Sequence, residues 1–384
     1  MKRVLIVVFD SVGVGAMPDA AEFLDAGANT LTHAAESVGG LSMPVLGSLG
    51  LGNIVGVPGV PPAEKPLACF GRMQEASPAK DTVTGHWEIA GLISRQPFAL
   101  YPDGFPAEIM EPFEKESGFG YLYNKAASGT VILEQLGAEH MATGKLIVYT
   151  SADSVFQVAA HEEVVPLPEL YRACVVARKI LDPFHVARVI ARPFVGKPGS
   201  FQRTYNRKDF CMEPPAPTLL DRLTAAGIPV TGVGKIEDIF AGRGISHSVH
   251  TEGNDDGFEK TLELVREGRE GLIFVNLVDF DMVFGHRRNA PGYARALEAG
   301  DGFLRRLLPM LTRDDVLIVT ADHGCDPSHA AHTDHTREFV PLLVYGPGLP
   351  AGIDLGIRKT FGDVAATTLK LFGRQPDLAG TPVL

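Results

Sequence analysis

The chain has 384 residues, of which 45% are hydrophobic and 21% charged, with a formal net charge of −11. That length exceeds one hydrophobic core and predicts two domains, or one domain with a large insertion, while the ordinary composition excludes long disorder. The acidic balance excludes the basic surface a duplex nucleic-acid binder needs, and an acidic protein that handles phosphates needs metal cations to offset its own carboxylates.

The first apolar run, residues 4–9, is six residues long and stops at Asp10. It is too short for a signal peptide, and no run reaches the roughly 20 apolar residues of a membrane helix. Cys69, Cys174, Cys211 and Cys325 are scattered, with no CxxC pair. This usage predicts thiols in a reducing compartment, hence a soluble cytoplasmic protein with neither nucleic acid nor membrane as partner.

Residues 81–88, Asp-Thr-Val-Thr-Gly-His-Trp-Glu, contain the only tryptophan. A hydroxyl beside metal ions can lose its proton and act as a nucleophile, and spacing leaves Thr82 and Thr84 as alternatives. The structural alternative is an N-cap that opens a helix at Gly85. From residue 96 to 217 the chain is richer in Pro and Gly and has its own strand-like runs at 145–150 and 187–191, ending in the linker-like Cys-Met-Glu-Pro-Pro-Ala-Pro of 211–217. This middle reads as an insertion that caps the site.

The flanks carry one repeated pattern. Residues 4–9 end at Asp10, residues 272–278 end at Asp279 and Asp281, and residues 316–320 end at Asp322-His323. Continuous aliphatic runs of this length predict strands buried on both faces of a parallel sheet. Runs at 229–233 and 339–345 read as further strands, and 258–267 and 292–311 as helices. Ligands bind at the carboxyl ends of such strands, so these acids and histidines should converge. Asp279 and Asp281 lie two apart on a strand and point to one side, so spacing does not choose between them. With His286 and His335, three Asp and three His can hold two divalent ions; carboxylate with imidazole suits Mn²⁺, Zn²⁺ or Fe²⁺. Paired ions stabilise the attacking and leaving oxygens of an in-line phosphoryl displacement.

The stretches FDSVGVGAMPDA, KDTVTGHWEIAGL, SGTVILEQLG, IVYTSADSVFQVAAHEEVVPL, RVIARPFVG, NLVDFDMVFGHRR, TADHGCDP and TDHTREFVPLL follow one another over almost the whole chain. Through them the sequence resembles the phosphopentomutase family of the alkaline phosphatase superfamily. The resemblance implies an α/β fold: an alkaline-phosphatase-like core with a mainly parallel sheet flanked by helices (residues 1–95 and 218–384) and an inserted α+β cap for substrate (96–217). It implies that Asp10, Asp322 and His323 bind one metal and Asp281, His286 and His335 the other, with Mn²⁺ the ion. Thr82 would carry phosphate, and Asp153, Arg188, Arg203 and Lys235 would hold a pentose phosphate. Cofactor-independent phosphoglycerate mutases, phosphatases and sulfatases of the same superfamily are the alternatives. His86 and Glu88 are expected to support the nucleophile loop. His161 with Glu162-Glu163 is divided between contacts to sugar hydroxyls and a solvated surface, and Arg287-Arg288 between a phosphate contact and pairing with nearby carboxylates. One departure stands out: between Pro327 and Thr333 the sequence Ser-His-Ala-Ala-His is one residue longer than the family pattern. It adds His329 and His332 as competitors for metal.

Overall fold

The computed structural model describes residues 1–151 and 154–384. The chain divides into two compact units, Met1–Gln96 with Pro214–Leu384, and Pro97–Glu213. In chain order the strands are β1 (Arg3–Phe9) and β2 (Cys69–Met73) in the first unit; β3 (Tyr121–Ala126), β4 (Leu146–Thr150), β5 (Val155–His161), β6 (Arg188–Val195), β7 (Gln202–Arg203) and β8 (Lys208–Cys211) in the second; and β9 (Val230–Val233), β10 (His247–Val249), β11 (Gly271–Leu277), β12 (Asp315–Thr320), β13 (Val340–Tyr345) and β14 (Asp354–Arg358) in the first again.

The first unit is built on one sheet in the order β10-β9-β11-β1-β12-β13-β2-β14. Strands β10, β9, β11, β1 and β12 run parallel. The aliphatic runs explain this. Val4 to Val8, Leu272 to Val275, Val316 and Leu317 have no exposed surface, as central strands covered on both faces require. Residues 339–345 do yield a strand of this sheet, β13, but it runs antiparallel to β12. The physical reason is the connection: no helix lies between β12 and β13, and a chain that returns without a crossover pairs antiparallel. The two expected helices form as Asn254–Arg266 and Ala290–Leu307. The second begins earlier than its apolar pattern, because the Asn289 side chain caps it by accepting from the Gly292 amide. Among the described residues no helix is long and apolar enough to cross a membrane.

The second unit has its own sheet, β3-β4-β5-β6-β7, with β8 also paired to β6. Alternation along β4 divides its packing. Leu146 and Val148 join Phe113, Phe156, Leu170 and Val189 in one core. Ile147 and Tyr149 join Ile132, Leu133 and Phe194 in another. The two-residue period of a strand thus serves two layers of helices from one segment.

Candidate metal centre

Register brings the acids together. β1 lies between β11 and β12, with Phe9 opposite Leu277 and Val8 opposite Thr320. The three chains therefore leave the sheet side by side. After β1 the backbone turns at Ser11, whose φ is +72°, a region that costs a non-glycine residue strain. The Ser11 amide then donates to Asp322 Oδ1 at 3.0 Å, which ties the two strand ends together.

Asp10, Asp322 and His323 are buried, and their ligand atoms lie within 4.8 Å of one another. The ligand atoms of Asp281, His323 and His335, and those of Asp281, His286 and Cys325, group within the same distance, with His335 and His286 partly exposed. His323 thus stands in two groups at once. Its Nε2 is 3.6 Å from Asp10 Oδ1 and 3.4 Å from Asp322 Oδ2. His286 Nε2 is 3.3 Å from Asp281 Oδ2, and His335 Nε2 is 3.4 Å from Asp281 Oδ1.

Tautomers sharpen this. His323 Nδ1 donates to the carbonyl of adjacent Gly324 at 3.0 Å, and His286 Nδ1 donates to the Thr333 carbonyl at 2.7 Å. Both rings therefore aim the Nε2 lone pair at carboxylate oxygens, as metal-ligating histidines do. Asp10 Oδ1 is buried with no hydrogen-bond partner among the described residues. Burial, then the charges of Asp322 and Asp281, push the Asp10 carboxyl well above the ordinary carboxylate range. Burial pushes the His323 imidazole down and keeps it neutral. Burial also raises Asp281, but protonated imidazoles at His335 and His286 outweigh it and hold that carboxyl well below its usual value, a charge that a divalent cation would supply in place of those protons. Lone pairs facing lone pairs, with excess negative charge, fit divalent cations.

His335 reaches the cluster through a two-way backbone bridge: the Gly324 amide donates to the Thr336 carbonyl at 3.1 Å and the Thr336 amide to the Gly324 carbonyl at 2.7 Å. The His323 and His335 rings are consequently 4.0 Å apart. Residues 328–332 sit in the loop closed by this bridge, and His335 lies beside Asp281. Asp279 is turned elsewhere. Its Oδ2 accepts from the Asn254 amide at 2.7 Å, at the start of the helix Asn254–Arg266. The strand rule did not choose between the two aspartates because the chain leaves strand geometry here and enters a π-helical turn, Phe280–Gly285.

Thr82 begins a helix, Thr82–Ile89, capped by Asp81, which accepts from the Thr84 amide at 3.0 Å. The helix thus opens earlier than Gly85. Gly85 matters for packing instead. A Cβ there would overlap the Asp322 carbonyl, so glycine lets this helix pack onto the β12 end. The Thr84 hydroxyl is buried and donates to Asp81 Oδ2 at 2.7 Å. The Thr82 hydroxyl instead donates to His323 Nε2 at 3.1 Å. His86 Nδ1 meets the Thr82 carbonyl at 2.9 Å and Asp322 Oδ2 at 3.1 Å. Glu88 accepts from the amides of Ala76, Ser77 and Phe361 and the hydroxyls of Ser77 and Thr360, fixing the loop before the helix.

Several supporting residues were not singled out from sequence. Asn276 donates to Asp10 Oδ2 at 2.7 Å and faces His86 Nε2 at 3.2 Å; a polar residue inside the apolar β11 run was the available signal. Arg337, buried, donates to Asp19 and Glu75 and to the carbonyls of Ser77 and Ala79. Glu338 accepts from Thr30 and Thr336. Cys325 lies against His286, and burial, then the charge of Asp281, keeps its thiol protonated.

The remaining sequence candidates are spread more widely. Lys235 follows β9, and its charge is felt at Asp10. Arg288 donates to the carbonyls of Ala330 and His332 at 3.3 and 2.9 Å, a structural role. In the second unit, Arg188 approaches Asp209 Oδ2 at 4.0 Å. Burial raises the Tyr149 phenol, and the Arg192 and Arg203 guanidiniums nearby offset part of that rise. Burial, then the charge of Arg207, lowers the Arg192 guanidinium to about 10, with Arg203 adding to the effect. His161 is buried rather than solvated, its amide donating to His140 Nε2 and its Nε2 to the Gly196 carbonyl, and Glu162 holds Thr204 and Asn206. Asp153 lies outside the described residues.

A family model, the metalloenzyme superfamily, matches residues 2–376. A phosphopentomutase of Anaeromyxobacter sp. (strain K) is 57% identical over 384 residues, covering all of this chain and 98% of the relative. One from Caldanaerobacter subterraneus subsp. tengcongensis is 56% identical over 385 residues, again with coverage of 100% and 98%. In fold, the chain is similar to the solved PH0037 protein of Pyrococcus horikoshii, with a TM-score of 0.51, 16% identity and 97% of each chain covered.

Proposed function

This chain belongs to the phosphopentomutase family of the metalloenzyme superfamily, and from that premise we propose that it acts in the cytoplasm, moving phosphate between the 1- and 5-positions of ribose or 2-deoxyribose through a phosphothreonine at Thr82. It is an isomerase that uses divalent metal. The assignment of Thr82 rests on one observation: its hydroxyl is 3.1 Å from Nε2 of His323, the residue common to two carboxylate–imidazole groups.

In this reading Asp10, Asp322 and His323 hold one ion and Asp281, His286 and His335 the other, with Mn²⁺ the metal. Bound ions of this kind neutralise charge on the transferred phosphoryl and activate oxygen nucleophiles. The rest falls to the chain. The free hydroxyl of a pentose monophosphate attacks the phosphorus on Thr82 in line. The bond to Thr82 Oγ1 breaks, that oxygen regains a proton, and a pentose bisphosphate forms. The bisphosphate turns around, Thr82 Oγ1 gives up its proton and attacks the other phosphorus, the bond from that phosphorus to the sugar oxygen breaks, and the sugar oxygen takes up a proton as the isomeric monophosphate leaves. Thr82 opens its helix, so the positive end of the helix dipole favours the phosphate it carries.

Arg188, Arg203 and Asp153 are the proposed grips on the sugar phosphate, with Lys235 as a further phosphate contact. A planar guanidinium holds phosphate in bidentate fashion. The crowding of Arg192, Arg203 and Arg207 around Tyr149 supports this, because a phosphate dianion would relieve the mutual repulsion.

Replacement of Thr82 by Ala tests the proposal. Thr82→Ala should lose conversion of ribose 5-phosphate while keeping its circular dichroism and metal content, and intact-mass spectrometry should find phosphate on the wild type alone. Near-normal turnover by Thr82→Ala overturns the assignment and brings Thr84 forward. Phosphate release without a sugar acceptor, set against isomerisation, separates a mutase from a phosphatase.

A further inference from the structure

Away from the centre just described, Asp25, His329 and His332 present ligand atoms within 4.8 Å of one another. Asp25 has no exposed surface. Its two oxygens are used differently. Oδ2 takes the Lys80 ammonium at 3.0 Å and the Arg337 amide at 2.8 Å. Oδ1 faces the imidazoles: His332 Nε2 at 2.8 Å and His329 Nε2 at 3.7 Å. We propose that Asp25 Oδ1, His329 Nε2 and His332 Nε2 form a separate binding site for a single divalent transition-metal ion such as Zn²⁺.

The distances suit it. Ligands in a tetrahedral zinc site with bonds of about 2.0–2.1 Å lie roughly 3.3 Å apart, and the values at Oδ1 bracket this. The loop that carries the histidines is already held. The Ser328 amide donates to Asp326 Oδ1 and the His329 amide to the Asp326 carbonyl, and Arg288 holds the carbonyls of Ala330 and His332. The rings are 4.7 Å apart. Three protein ligands leave the fourth position to solvent. Two imidazoles with one carboxylate oxygen select late first-row metals over Mg²⁺ and Ca²⁺, and Mn²⁺ is the weakest of the first-row series. The site therefore differs in preference from the carboxylate-rich centre.

Binding needs both Nε2 atoms as lone pairs. His329 Nε2 now meets the Leu24 carbonyl at 3.0 Å, and His332 Nδ1 accepts from the Asp334 amide at 3.2 Å. The ion replaces the first contact, and the second opens as the His332 proton moves to Nδ1. With Lys80 on the other oxygen, Asp25 coordinates through Oδ1 alone.

The test uses the full chain with Zn²⁺ as probe. The Asp10→Asn/Asp281→Asn variant, which removes a carboxylate from each half of the main centre, should still bind one equivalent of zinc, with two imidazoles visible by zinc-edge X-ray absorption. Adding His329→Ala and His332→Ala should abolish that equivalent. In the wild-type background the same two substitutions should lower total zinc by one equivalent, so the result stands even where the combined variant fails to fold. His329→Ala alone should raise the zinc Kd by more than about 100-fold, beyond the loss of a mere supporting partner. Equal zinc uptake with and without the two histidines overturns the proposal.

Discussion

The two ends of β1 solve opposite problems. At the amino end, Arg3 pairs with Asp315 at 2.9 Å, and both side chains are buried. The guanidinium also reaches the carbonyls of Val265 and Arg269, and Asp315 accepts from the amide and hydroxyl of Thr312. Charge balances there, although Arg3 Nε and Asp315 Oδ1 are buried without a hydrogen-bond partner among the described residues. At the carboxyl end, Asp10, Asp322 and Asp281 crowd together, and Asp10 Oδ1 finds no partner among the described residues. A charge-neutral ion pair at the start of β1 thus lies seven residues from an uncompensated carboxylate cluster just past its end. At the paired end the loss of either partner would strand a buried charge, whereas the crowded end stores an electrostatic demand for cations.

Removing a charge should therefore have opposite consequences at the two ends. Asp10→Asn should lower isomerase activity by roughly 10³-fold, the scale of losing a preorganised electrostatic group, yet leave the metal-free melting temperature unchanged or higher. A fall of several degrees in that temperature would refute the idea of crowding. Arg3→Met should do the reverse, costing about 3–5 kcal/mol by stranding Asp315 while kcat per folded molecule stays constant; denaturant titration and active-site counting measure the two. Adding Mn²⁺ to chelator-treated wild type at about 100 times its Kd should stabilise it by about 2.7 kcal/mol, with a smaller gain in Asp10→Asn. The smallest effect is on pH dependence. Burial raises the Asp315 carboxyl, but the Thr312 amide and the Arg3 guanidinium outweigh it and hold it below its ordinary value of 3.8. Its contribution is therefore complete above 3.8 and lost as pH falls further. The stability gap between wild type and Asp315→Asn should narrow only below that point, and a gap that closes near neutrality would rule the pair out as its source.

What was legible in the sequence follows from which forces are local. The central strands were readable because burial on both faces demands unbroken aliphatic runs, and their acidic ends inherited the reading. Asp279 and Asp281 were not separable, since the π-helical turn that parts them leaves no mark in periodicity. Thr82 and Thr84 were not separable either, because the choice depends on Asp81 claiming the Thr84 hydroxyl. Arg337 was opaque for a different reason: its partners at Asp19 and Glu75 lie 318 and 262 residues away, and their spacing carries no period.

The pairing of β1 also bears on how the chain is made. Its neighbours β11 and β12 begin at Gly271 and Asp315, whereas the second unit closes on itself between Pro97 and Glu213. At the usual pace of translation this apolar strand waits roughly 15–50 s for its first partner. The inserted unit emerges complete well before that. The order of assembly on the ribosome therefore departs from the order in sequence, with the middle folding while the beginning stays open to chaperones.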